Sequence, residues 1–437
     1  MLAALEASRP AQGTTADPAA ALMQASELDL ATLLRAAEDL NPAIAAAHEE
    51  FGAAGGRSLQ AGLLPNPTLR LEVEELPEND FALERSKHTL GFRQPLILGG
   101  RLGAEKNAAE ADEHVRLLRL EVVRRAVFAD VRAAYAEALA LRASVLTHEE
   151  LLAIAQRTFD VARTRFDARA VPESEVIRAE LEVHELQLGA RTLSREADAL
   201  IARLRALLGG VELRMEQFAR APDPTLRSFD DARFTRNALD ENPELLAARA
   251  EVDTADRRLD AAEARSTPDM TFGLAYGHDR NDRGIIEAGL SFALPVFDRN
   301  QGRIREARHL AARARRDAEA VRGRLEAELA GALAAHAAAR DRVDTFRERI
   351  VPASERALGQ LRASYAAGRT DMLDLLDAQR SNARARLSLI RGLREAGAAE
   401  AQLWRLVGLG TRSAQAAGAF TPPTATSPQA TSSGSKR

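Results

Sequence analysis

The chain has 437 residues, a formal net charge of −4, 28% charged residues and only 4% aromatics, which gives neither a basic nucleic-acid footprint nor the material for several compact mixed cores. Cysteine is absent, which excludes disulfides and thiolate metal sites, and the histidines at 48, 88, 114, 148, 184, 278, 309 and 336 never fall at helical i, i+4 spacing, so they read as scattered surface residues rather than metal ligands. No P-loop, dinucleotide-binding glycine fingerprint or nucleophile elbow occurs, so the chain is not read as an enzyme and no catalytic, cofactor-binding or metal residue is expected.

The N-terminal stretch "MLAALEASRPAQGTTADPAA" has no charged segment followed by an apolar core, so no secretory leader is visible and residues 1–22 are expected to be flexible. No apolar run reaches the roughly 18 residues of a bilayer-spanning helix, so an inner-membrane protein is not expected. From residue 23 onward the chain is written twice. Asn41-Pro42 recurs as Asn242-Pro243; Leu90, Phe92 and Pro95 recur as Leu290, Phe292 and Pro295; Phe166, Ala179 and Leu207 match Tyr365, Ala378 and Leu406. One offset near 200 residues holds across almost the whole chain, which marks an internal repeat. The first copy is placed at 23–210 and the second at 211–410.

Each copy predicts the same elements. A helix follows the Asn-Pro, over about 42–64 and 243–266. Two short strands come next, about 68–76 with 88–97 and 269–278 with 285–294. Leu69, Leu71 and Val73 alternate with Arg70, Glu72 and Glu74, while Phe272, Leu274 and Tyr276 alternate with Gly273 and Ala275. Such alternation suits a tilted transmembrane β-strand and equally an antiparallel sheet covering a soluble core. Apolar sequence for such a core is scarce, and four strands can neither close a barrel nor hide their edges. The sheet is therefore expected to be completed by other copies of the chain.

A helix of about 65 residues follows, over 101–168 and 303–367, then a turn and a further helix over 172–208 and 371–408. Val145, Leu152, Phe159 and Phe166 fall seven apart, as do Leu186, Leu193, Leu200 and Leu207 beyond the turn. These heptads predict antiparallel coiled-coil hairpins, with helical rods on the order of 100 Å long. The return helix is too short alone to match the long one; placed end to end with the helix before the strands, it nearly does. Residues 209–240 read as a mixed segment, and the tail from Thr411, rich in Ser, Thr, Pro, Gly and Ala, reads as disordered.

The stretches "LPVFDRNQGRIREA" (294–307), "YAAGRTDMLDLLDAQR" (365–380) and "FRQPLILGGR" (92–101), within that duplicated order of elements, resemble the TolC-like outer-membrane efflux proteins. Their wording is similar to the outer-membrane components of heavy-metal cation efflux systems of the resistance-nodulation-division type. The resemblance covers roughly residues 28–410. It implies a mainly α fold with a small β part: a homotrimer with a twelve-stranded barrel in outer-membrane lipid and an α-helical tunnel in the periplasm. It also implies a periplasmic membrane-fusion adaptor, an inner-membrane pump, and transport of substrate through the lumen without chemistry. Leu71, Leu90, Phe92, Phe272, Leu274, Tyr276, Leu290 and Phe292 are then the lipid-facing strand residues. The adaptor-contacting hairpin tips fall at Val171 and Pro172 in the first copy and at Gly368, Arg369 and Thr370 in the second. Arg169 stands where the second tip has Gly368, so the first turn is expected to differ in shape. A leader, often with a lipid-bearing Cys, usually precedes such a duct. Its absence is expected to mean an internal start or a leader already removed, with a cytoplasmic chain as the third reading.

Asp371, Asp374 and Asp377 follow the second tip at a spacing that drifts around a helix, so they need not face one way. Asp371 reads either as a helix N-cap or, with Asp374, as part of a periplasmic aperture: in a trimer one axial Asp becomes a ring of three carboxylates that attracts cations. The competing functions are the same duct carrying drugs or a secreted polypeptide and, from another class, a soluble coiled-coil scaffold. The scaffold accounts for the heptads but leaves the duplicated strands without a reason.

Overall fold

The computed structural model describes residues 18–74, 87–219, 239–278 and 283–406. The expected disordered tail, residues 1–17 of the N-terminal segment and most of the 209–240 connection lie outside these residues. In chain order the elements are α1 (Pro18–Gln24), α2 (Leu30–Leu40), α3 (Pro42–Ala61), β1 (Thr68–Glu74), β2 (Lys87–Leu96), α4 (Arg101–Asp167) and α5 (Glu173–Leu207). They continue with α6 (Pro243–Ala264), β3 (Met270–His278), β4 (Gly284–Phe292), α7 (Gln301–Thr345), α8 (Val351–Ala366) and α9 (Met372–Leu406). The fold is mainly helical with a small sheet.

The helices form four rods side by side. The 67-residue α4 packs on one flank against both α3 and α5, and on the other against α6 and α9, which in turn pack against α7 and α8. The Asn-Pro pairs explain how two short helices make one rod. Asn41 Oδ1 accepts from the N–H groups of Ala43 (2.9 Å) and Ile44 (3.2 Å), capping α3, while its Nδ2 donates to the Leu207 carbonyl at the end of α5 (2.8 Å). Asn242 does the same for α6 through Glu244 (2.9 Å) and Leu245 (3.2 Å), and joins it to the Leu406 carbonyl at the end of α9 (3.0 Å). A helix start leaves free donors and a helix end leaves free carbonyls. One amide satisfies both, and the proline after it occupies a position where no N–H is needed. An arginine of the long helix braces each joint: Arg124 pairs with Glu38 (2.7 Å) and Glu121 (3.3 Å), and Arg324 with Glu328 (2.7 Å) and Glu244.

The joints differ in their surroundings. The first lies in the largest apolar core, where Leu22 of α1, Leu28 before α2 and Leu33 of α2 meet Val131, Leu200, Leu204, Leu208 and Phe218. The second has a smaller cluster of Leu245, Leu325, Leu329, Leu403 and Leu406. The second long helix is also interrupted. The sequence predicts one unbroken helix over 303–367, but residues 346–350 form a turn of π-helix, with the Val351 N–H reaching the Phe346 carbonyl. Pro352 follows; having no N–H, it cannot continue the regular ladder there.

The sheet has the order β1-β2-β3-β4, all antiparallel, with β1 and β4 as open edges. β1 and β3 run away from the helical rods and β2 and β4 return to them, so that residues 74, 87, 278 and 284 sit together at the distal end.

Candidate functional site: the two faces of the sheet and the hairpin tips

Residues directly paired across antiparallel strands share a face, so the register sorts the sheet. One face carries Leu69, Leu71 and Val73 of β1, Leu90 and Phe92 of β2, Met270, Phe272, Leu274 and Tyr276 of β3, and Ile286, Leu290 and Phe292 of β4. All eight residues expected to face lipid are on it, and all eight are exposed, from 37% for Phe272 to 75% for Leu71. Sequence pattern missed Ile286, 73% exposed, because Ile285 beside it blurs the alternation. The register decides, pairing Ile286 with Tyr276 on the apolar face and Ile285 with Gly277 on the other. A continuous apolar surface of this size needs an apolar cover.

The opposite face is polar and lined with small residues. Arg70 pairs with Glu72, and Lys87 lies 3.6 Å from Glu74 and 3.3 Å from Glu287. That last contact joins β2 to β4 over β3, whose residues on this face are Thr271, Gly273, Ala275 and Gly277. Small side chains on β3 leave room for the long charged side chains of β2 and β4 to meet over it.

The register also corrects the expectation that the histidines are scattered. His88 of β2 stands directly opposite His278 of β3, a relation no helical spacing count detects.

At the other end of the molecule the two hairpins turn at 168–172 and 367–371. The first turn does not differ in shape as Arg169 suggested. Arg169 takes φ 60° and Gly368 φ 68°. Arg169 donates to Phe166 and Ala170 to Arg165 (both 2.8 Å), and Gly368 donates to Tyr365 (3.0 Å) and Arg369 to Ser364 (2.9 Å). Both are Schellman turns. Arginine adopts the left-handed conformation because the helix-ending bonds demand it, at a cost of about 1 kcal/mol.

Pro172, Gly368 and Arg369 are exposed at the tips, with Val171 and Thr370 half-buried. Asp371 immediately precedes α9 and its carbonyl accepts from the Leu375 N–H; Asp371 and Asp374 are exposed, while Met372, Leu375 and Leu376 point into a small core shared by both hairpins. Above the tips Arg165 lies over the Tyr365 ring (5.0 Å), and the buried Glu182 accepts from Arg380 (2.6 Å), tying the first hairpin to the second. Among the described residues no group of three or more His, Asp or Glu side chains could hold a metal ion, and no helix is long and apolar enough to cross a membrane.

The family model for "Outer membrane efflux protein" matches residues 33–210 and 235–409, which takes in the sheet, both joints and both tips. The chain belongs to this family. Outer membrane efflux proteins reside in the cell outer membrane with their helical part in the periplasm. Among curated relatives, the cobalt-zinc-cadmium resistance protein CzcC of Cupriavidus metallidurans is 27% identical over 399 residues, covering 91% of this chain and 94% of that protein. The nickel and cobalt resistance protein CnrC of the same organism is 28% identical over 306 residues, 68% of this chain and 70% of that protein. The crystal structure of CusC, described as forming a transmembrane channel, superposes with a TM-score of 0.77 at 18% identity, covering 92% of this chain and 96% of that one; at that identity the likeness speaks for the fold.

Proposed function

We propose that this outer membrane efflux protein is the exit duct of a tripartite pump and exports heavy-metal cations. The observation that carries the reading is the two-faced sheet, apolar on one side and polar on the other, with two free edges and a four-rod wall beneath it. Four strands per chain in a homotrimer make twelve, enough to close the edges and leave a polar lumen. The residues of the apolar face, the eight expected from sequence among them, then meet outer-membrane lipid. The four-rod walls join into a periplasmic tunnel whose tips, Val171 and Pro172 with Gly368, Arg369 and Thr370, meet a membrane-fusion adaptor coupled to an inner-membrane pump. The metal cargo is supported by the resistance roles named for CzcC and CnrC, and the duct performs no chemistry of its own.

Trimerisation turns Asp374, with Asp371, into a ring of carboxylates near the mouth, a cation-selective constriction that the adaptor opens. In planar bilayers the trimer is expected to show small, cation-preferring conductance, blocked by multivalent cations from the periplasmic side. Asp374→Asn should weaken both block and selectivity while the trimer survives. An unchanged current removes Asp374 from the gate, and a stable monomer in detergent-free buffer sinks the duct itself. The lipid face has its own test: Phe272→Arg or Phe292→Arg should cost about 2–4 kcal/mol at the bilayer midplane and impair insertion, whereas Gly273→Arg or Ala275→Arg should be better tolerated.

A further inference from the structure

The pairing of His88 with His278 points to a second kind of cation contact, outside the lumen. Both side chains lie on the apolar face at the distal end of the sheet, half-buried, on the two strands that join the first copy to the second. Direct partners on antiparallel strands have Cβ atoms about 4.5–5.5 Å apart. Two neutral imidazoles from such positions can converge on one ion at the roughly 2.0–2.1 Å that nitrogen ligands need. The surroundings favour one side. The Tyr276 ring packs edge-on against His278 at 5.3 Å and 84°. A Cβ on Gly284, the residue opposite His278 on β4, would come within 3.0 Å of the Tyr276 hydroxyl. The tyrosine thus occupies the β4 side of His278, and His88 stands on the β2 side.

We infer that His88 and His278 form a two-histidine site for a borderline divalent cation, nickel, zinc, cobalt or copper, which clips β2 to β3 at the outer rim of the sheet. Imidazole pairs select these ions over magnesium and calcium, which prefer oxygen ligands. With only two protein ligands, water completes the coordination, so the site is exchangeable rather than a permanent structural centre. A clip between residues 190 positions apart in sequence restrains a long loop in the unfolded chain, so its occupation should stabilise the sheet. The inference does not depend on what the duct carries, because the site lies on the face turned away from the polar one.

The test uses the full-length chain without an affinity tag, in detergent, titrated with nickel or zinc by calorimetry and with copper under electron paramagnetic resonance. Wild type should bind one cation per chain at this site, raise its melting temperature with nickel but not with magnesium, and show coupling of copper to two nitrogens. Acidification should abolish binding, since the ligands must be deprotonated. His88→Gln and His278→Gln should each lose the nickel-dependent shift. His184→Gln, which removes the exposed histidine beside Glu180 on α5, should keep it. Retained binding in the His88→Gln, His278→Gln double variant, or a copper spectrum with fewer than two nitrogens, overturns the proposal and leaves the pair as an interfacial polar belt. The copper spectrum of the wild type decides even where a variant fails to assemble. Because the titration reads binding on the protein alone, its failure leaves the conductance test of the duct standing.

Discussion

The two hairpins are copies of one plan executed under different local conditions. The first long helix, α4, runs 67 residues without a break; the second is divided at 346–350 by a π-turn between α7 and α8. The first tip uses an arginine in a left-handed conformation and the second a glycine. The first joint is set in a large apolar core and the second in a small one. At 137 the first long helix carries a half-buried glutamate paired with Arg203, while 199 positions later the second buries His336, 4% exposed. What stayed alike are the hydrogen bonds that end or join helices, because the unsatisfied groups there are the same whatever side chains surround them. What diverged is packing, which tolerates exchange as long as volume is filled.

The strongest way to break this comparison is at the joints. Asn41→Ala and Asn242→Ala each remove a cap and the bond to a helix-ending carbonyl, about 2–3 kcal/mol in sum, and both asparagines are buried. Denaturant melts should show similar losses for the two variants. If only one matters, the joints are not equivalent.

The tips give the next test. Arg169→Gly should stabilise by about 1 kcal/mol, and Gly368→Arg should destabilise by a similar amount, since a Cβ at 368 meets nothing within 4 Å and only the backbone conformation penalises it. If the two changes fail to oppose each other in thermal melts, the turns are not the same turn.

His336 distinguishes the long helices by pH. Burial holds its pKa below the ordinary 6.5, with Glu400 pulling it up and Arg340 pushing it down. The unfolded chain then binds the proton first, so stability should fall as pH drops below about 6.5 toward the lower folded-state value. His336→Gln should flatten that part of the stability profile and leave the alkaline side unchanged.

The smallest expected effect is local. Amide hydrogen exchange should be faster around 346–350 than around 146–150, where α4 is continuous. Equal rates would mean that the π-turn does not loosen the second rod.

Much of the fold was legible because it is written in local pattern. The alternation in Leu69 to Val73 and in Phe272 to Tyr276, the seven-residue spacing through Phe159 and Phe166, and the repeat of Asn-Pro after some 200 residues are each read within a few turns of chain or by comparing the chain with itself. They determined the order of elements, the duplication and the apolar strand residues. The tertiary structure alone decided matters that depend on residues far apart. It made each Asn-Pro a splice, because the carbonyl it receives belongs to a helix more than 160 positions away. It put Ile286 on the apolar face and set His88 opposite His278, because a strand's partner and register are fixed by pairing and not by its own alternation. It also gave Arg169 a glycine's conformation. Residue preference is weak beside the hydrogen bonds that end a helix, so the turn shared by the copies prevailed over the side chain that differed.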